Sequence, residues 1–67
     1  MIGKVTKIQK KKRKHSQLGY GFISDSDGVQ YYFILADATW VELGMIVSFK
    51  GEKNEKGNIA VQVSMVS

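Results

Sequence analysis

The sequence predicts an all-β chain whose five short strands form an antiparallel, closed or nearly closed barrel. No segment carries apolar residues at i, i+3, i+4 and i+7 over the length of an ordinary helix. Val41, Leu43, Met45, Val47 and Phe49 alternate with other residues, and so do Ile59, Val61, Val63 and Met65. That period of two turns one set of side chains inward along a strand. Gly19-Tyr20-Gly21-Phe22-Ile23 and Gln30-Tyr31-Tyr32-Phe33-Ile34-Leu35 are rich in aromatic and β-branched residues and flank Asp25-Ser26-Asp27-Gly28, which has hairpin-turn chemistry. Five short strands expose edges that invite aggregation, and closing the sheet removes them.

The first strand is read over the opening residues, although Ile2, Val5 and Ile8 recur at intervals of three. That spacing fits a helical turn or a bulged strand. Gly3, Val5, Thr6 and Ile8 are poor helix formers, and bent barrel strands commonly carry bulges, so the strand is chosen. A basic loop is expected at about 10–18, carrying Lys10-Lys11-Lys12-Arg13-Lys14. The two aromatic stretches then pair as a hairpin. Ala36-Asp37-Ala38-Thr39-Trp40 reads as one short helical turn with Asp37 as candidate cap. The fourth strand covers the alternation from Val41 to Phe49. Gly51 to Asn58 is polar and bounded by glycine, so it reads as the turn into the fifth strand.

A chain of 67 residues is one domain, 1–67, and must be held by packing alone. It has no cysteine, and His15 is its only histidine, so neither disulfides nor a zinc cluster reinforces the core. The absence of cysteine fits a reducing compartment. No apolar run approaches the ~20 residues of a membrane span, and no signal-peptide core follows Met1. A soluble, cytoplasmic, monomeric protein is expected. One histidine and acids scattered through turns give no nucleophile–base pair, so the chain reads as no enzyme, with no catalytic residue, metal, cofactor or small-molecule substrate.

The net charge of +4 is unevenly placed: residues 1–14 hold seven of the ten Lys and Arg and no acid, while residues 15–67 hold three bases and all six acids. Such a patch is the footprint of a polyanion binder, or else a solvated run that aids solubility.

Tyr31 to Leu35 are five consecutive apolar residues, which load both faces of one strand. No long helix exists to cover the outer face. Either the Tyr31/Phe33 set or the Tyr32/Ile34 set therefore faces solvent, and an exposed apolar patch marks a binding surface. Tyr20 and Phe22 share one face of the neighbouring strand, opposite Gly19, Gly21 and Ile23. They are either ordinary core or a flat aromatic platform, and the flanking glycines favour the platform.

These residues resemble the bacterial cold-shock proteins, whose domain is a five-stranded oligonucleotide-binding barrel (OB-fold). The resemblance covers nearly the whole chain. Leu18-Gly19-Tyr20-Gly21-Phe22-Ile23 is similar to the family's first nucleic-acid motif, usually Lys-Gly-Phe-Gly-Phe-Ile. Tyr31-Tyr32-Phe33-Ile34-Leu35 falls where the second, often Val-Phe-Val-His-Phe, would lie. This places Tyr32 at a stacking position, with Tyr31 and Phe33 inward. Gly3-Lys4-Val5, Gly44 to Phe49 and Gly57 to Val63 resemble the family's opening segment and its last two strands. Two departures stand out. Lys7-Ile8 replaces the exposed Trp-Phe pair, and Ile34 replaces the second motif's histidine. The basic connection is also about six residues longer than usual, and Trp40 either stands in for a missing loop aromatic or belongs to the core.

The resemblance implies binding of single-stranded RNA or DNA and an RNA-chaperone action without catalysis. Bases would stack on Tyr20, Phe22 and Tyr32, beside Ile34, while Lys7, Lys10, Lys11, Lys12, Arg13 and Lys14 would meet phosphates. The alternative is a small barrel that docks a protein or the ribosome through the same face. An RNA-recognition-motif sheet, suggested by Gly-Tyr-Gly-Phe, fails because that fold needs two amphipathic helices.

Overall fold

The computed structural model describes residues 1–13 and 16–66, except the side chains of 11–13, 16–18 and 37. Five strands, β1 (Ile2–Arg13), β2 (Ser16–Ser24), β3 (Gln30–Ile34), β4 (Ile46–Asn54) and β5 (Gly57–Met65), close into a barrel ordered β1-β2-β3-β5-β4. Pairing is antiparallel except at the closing contact, where β3 and β5 run parallel with Tyr32 beside Ile59. This is an OB-fold-like, all-β architecture.

β1 serves two neighbours: Ile2–Lys4 pair with β4, and from Lys4 onward the strand pairs with β2. A bulge between Val5 and Lys7 allows this, and it explains the spacing of three in the sequence. An extra residue resets the alternation, so Val5 and Ile8 both turn toward the core. Ile2 does not follow them; it is exposed, and Gly3 is buried in its place.

The β2–β3 turn is built by Asp25, whose Oδ1 accepts hydrogen bonds from the backbone N–H of Asp27 and Val29, both at 2.9 Å. Gly28 then takes φ +83°, which other residues rarely adopt. The hairpin register follows, Tyr20 opposite Ile34 and Phe22 opposite Tyr32.

Four expectations are corrected. The stretch at about 10–18 is not a simple loop: Lys10 to Arg13 continue β1 and pair with Gly19 to Ser16 of β2. Lys14 and His15 lie outside the described residues. Val41 and Leu43 are not in β4, which starts at Ile46. Val41 is buried after a 3-10 turn, Leu35–Asp37, while Leu43 is exposed beside Gly44 at φ +88°. Ile34, not Asp37, occupies the cap position of that turn, and no side chain caps it. Finally, the β4–β5 turn is only Glu55-Lys56, because β4 runs to Asn54 and β5 begins at Gly57.

The core consists of Val5, Ile23, Phe33, Leu35, Ala38, Val41, Val47, Phe49 and Ala60, with Ile8, Tyr31, Met45 and Val63 packed against it. The inward set of β5 changes from Ala60 to Val63 across Gln62, which takes φ +52° where the β4–β5 register shifts. Met65, at the end of that alternation, is exposed. Trp40 is not core either, being 37% exposed.

Candidate functional site

The inner face of the β2–β3 hairpin explains its glycines. A Cβ on Gly21 would lie 2.6 Å from Phe33 Cε1, and one on Gly19 would lie 2.8 Å from Leu35 Cδ1. Phe33 and Leu35 therefore fill the space the glycines leave, and Tyr31 packs its ring on Phe49 at 5.0 Å between centroids. With the inner face full, alternation sends Tyr20, Phe22, Tyr32 and Ile34 outward.

On that outer face the three rings touch one another. Tyr20 and Tyr32 stack at 5.6 Å between centroids with 24° between planes, and Phe22 meets each of them edge-on at 5.9 Å. Such pairs contribute about 0.5–1.5 kcal/mol each beyond area burial, so the cluster is held in shape without being covered. Tyr32 is 38% exposed and Ile34 47%, while Tyr20 and Phe22 are half-buried. The Tyr31/Phe33 set is thus the inward one and the Tyr32/Ile34 set the outward one.

Strand register carries the surface across the sheet. Lys7, Phe22, Tyr32 and Ile59 stand in one row over β1, β2, β3 and β5, and Gln9, Tyr20 and Ile34 stand in the next. Lys7 is exposed and holds its Nζ 5.9 Å from the centre of the Tyr20 ring, a cation–π distance. Ile8, its neighbour, turns inward. Lys10 is exposed opposite Gly19. The side chains of Lys11, Lys12 and Arg13, and all of Lys14, fall outside the described residues.

One part of this surface is not readable from local pattern. A groove of about 800 Å³ runs from the aromatic cluster to the β4–β5 turn. Phe22, Tyr32 and Ile59 lie along it, and Gln30, Glu55, Lys56 and Asn58 give it a polar rim. Gln30 stands two residues before Tyr32 on the same strand, but Glu55, Lys56 and Asn58 belong beside Tyr32 only because β5 pairs with β3, a contact between residues 27 positions apart that no alternation within either strand reveals.

Below the turn at the other end, Asp25 Oδ2 lies 3.5 Å from the Tyr31 hydroxyl. Burial first, then the charge and hydrogen bond of Asp25, hold this phenol above its ordinary value of 10.0. Among the described residues no three His, Cys, Asp or Glu side chains gather as a metal site would require, and no helix is long and apolar enough to cross a membrane.

Comparison with protein-family models, with curated proteins and with solved structures finds no match to this chain.

Proposed function

We propose that this barrel binds single-stranded RNA or DNA, bases stacking on Tyr20, Phe22 and Tyr32 and lysines contacting phosphates. The observation that carries the reading is the three-ring cluster, exposed in part on a face that no other described element covers, with Lys7 alongside. A protein without a use for that face would bury such rings or replace them by polar residues. Stacking on an aromatic is worth about 1–3 kcal/mol per base and tolerates any base. Ile34 adds apolar area beside Tyr20, and Lys7, Lys10, Lys11, Lys12, Arg13 and Lys14 add phosphate contacts. Paired strands hide their base faces, so the protein favours unpaired ones and opens weak hairpins without catalysis. This is the cold-shock-like action the motifs imply, and it suits a cytoplasmic protein.

The test is a titration of fluorescent single strands and duplexes at two salt concentrations. Single strands should bind tighter, and log K should fall with log[salt] by about 0.7 for each phosphate neutralised. Replacing Lys10 to Lys14 by glutamine should flatten that slope and leave the melting temperature nearly unchanged. No binding to any single strand at low salt would defeat the proposal and favour a protein partner for the same rings.

A further inference from the structure

An acid on the rim of a polyanion-binding groove needs explaining. Glu55 occupies the β4–β5 turn, lines the groove beside Lys56, and is exposed. A carboxylate there repels phosphates and weakens binding through charge alone. Neither residue is committed elsewhere among the described residues: the ion pair found is Lys50 with Glu52, at 3.5 Å. The turn that carries them is well set. Lys56 N–H donates to Asn54 Oδ1 at 2.9 Å, Asn54 pairs with Gly57, and Gly57 takes φ +128°. The two charged side chains are thus presented from a defined backbone rather than from a loose loop.

Resting on the nucleic-acid reading above, we infer that this groove is a base-reading subsite selective for guanine, with Glu55 accepting from the base edge and Lys56 donating to it. Tyr32, Ile59, Glu55 and Lys56 line one groove, so a base laid against the first two has the turn's charged side chains within the same cleft. Guanine is the one common base whose pairing edge offers two adjacent donors, N1–H and N2–H, followed by an acceptor, O6. The two donors match the two oxygens of a carboxylate, and O6 matches an ammonium. Adenine, cytosine, uracil and thymine each offer at most one of those two donor positions, so each leaves a carboxylate oxygen unpaired. The groove's volume, about 800 Å³, lies within the roughly 300–1,000 Å³ usual for small-ligand clefts, and its floor is apolar as a stacked base requires.

The experiment uses thymine heptanucleotides, of a length within the roughly 4–16 nucleotides an OB barrel spans, with the central base left as thymine or changed to guanine, inosine, adenine or cytosine. The guanine strand should bind about fivefold tighter than the others, and inosine, which lacks the N2 amino group, should lose most of that advantage. In Glu55→Gln the ratio of guanine to thymine affinity should fall toward one, while thymine-only binding holds or strengthens as the negative charge is removed. A purely electrostatic Glu55 would strengthen both strands equally and leave the ratio unchanged, which overturns the inference, as would equal affinities in the unmodified protein. Those outcomes leave the stacking proposal intact. Failure of every heptanucleotide to bind overturns both. Glu55 is exposed, and unchanged melting of Glu55→Gln verifies that the variant is folded.

Discussion

The two faces of the β2–β3 hairpin are made from alternate residues of the same strands, yet they are built on opposite rules. Inside, Gly21 and Phe33 are fitted to each other so closely that a Cβ on the glycine meets the ring. Outside, Tyr20, Phe22 and Tyr32 rest on one another at 5.6 to 5.9 Å with one side open. The inner aromatics, Phe33 and Phe49, are buried in the core and stabilise the fold, while the outer rings stay partly open to solvent, as the proposed contact with bases requires.

The comparison breaks most visibly at Phe33, which is 2% exposed at the centre of the core. Phe33→Ala should cost about 3–5 kcal/mol through lost burial and the cavity left behind. A domain this small has little more than that in reserve. Denaturant unfolding should find the variant largely unfolded, and a loss below ~1 kcal/mol would mean the inner face is not the core. Gly21→Ala comes next. The new methyl meets Phe33 and the carbonyl of Lys7, both 2.6 Å away, and the backbone oxygen cannot yield as a side chain can. About 1–3 kcal/mol should be lost by the same measurement.

The outer rings should give the reverse pattern. Tyr20→Ala, Phe22→Ala and Tyr32→Ala should each weaken binding of a single-stranded oligonucleotide by about 1–3 kcal/mol. Stability should fall by the ring-pair energy, about 0.5–1.5 kcal/mol for each contact removed, together with the burial of the covered part of the ring, and so by less than in Phe33→Ala. Paired titration and melting of each variant reads both quantities. A collapse of the melting temperature with unaltered affinity would erase the distinction between the faces.

How much of this was legible follows from the range of the interactions. Tyr20 and Phe22 could be assigned to one face because alternation is local and the glycines at 19 and 21 mark the other side, whereas alternation left the Tyr31/Phe33 and Tyr32/Ile34 sets equal and only the motif resemblance put Tyr32 outward. The bulge between Val5 and Lys7 was legible too, since it leaves a spacing of three behind. Val41 misled because it reaches the core from the irregular segment after the 3-10 turn while happening to keep the parity of β4. The basic run read as a loop because consecutive cations show no alternation, whereas Lys10 to Arg13 are held by backbone pairing with Ser16 to Gly19, which is indifferent to side-chain type. Glu55, Lys56 and Asn58 were missed as neighbours of the aromatic face for a different reason. Their meeting depends on the parallel closure of β3 on β5, and a closure is a property of the whole barrel.

The smallest effect sharpens the comparison at the boundary between the two faces, where Tyr31 turns its ring inward to Phe49 and its hydroxyl outward to Asp25. Burial and the neighbouring carboxylate raise its phenol above 10.0, so the folded state favours the neutral form more than the unfolded chain does. The sign is fixed by linkage: the contribution is fully present below the unfolded value and is lost as pH rises through the higher folded one. Tyr31→Phe keeps the ring on Phe49 and removes the titrating group. Its stability should therefore decline less than that of the unmodified protein as pH climbs past about 10, with the two curves parallel at neutral pH. Chemical denaturation across that range measures the difference, and curves that stay parallel into alkali would show that Asp25 and burial do not act on this hydroxyl.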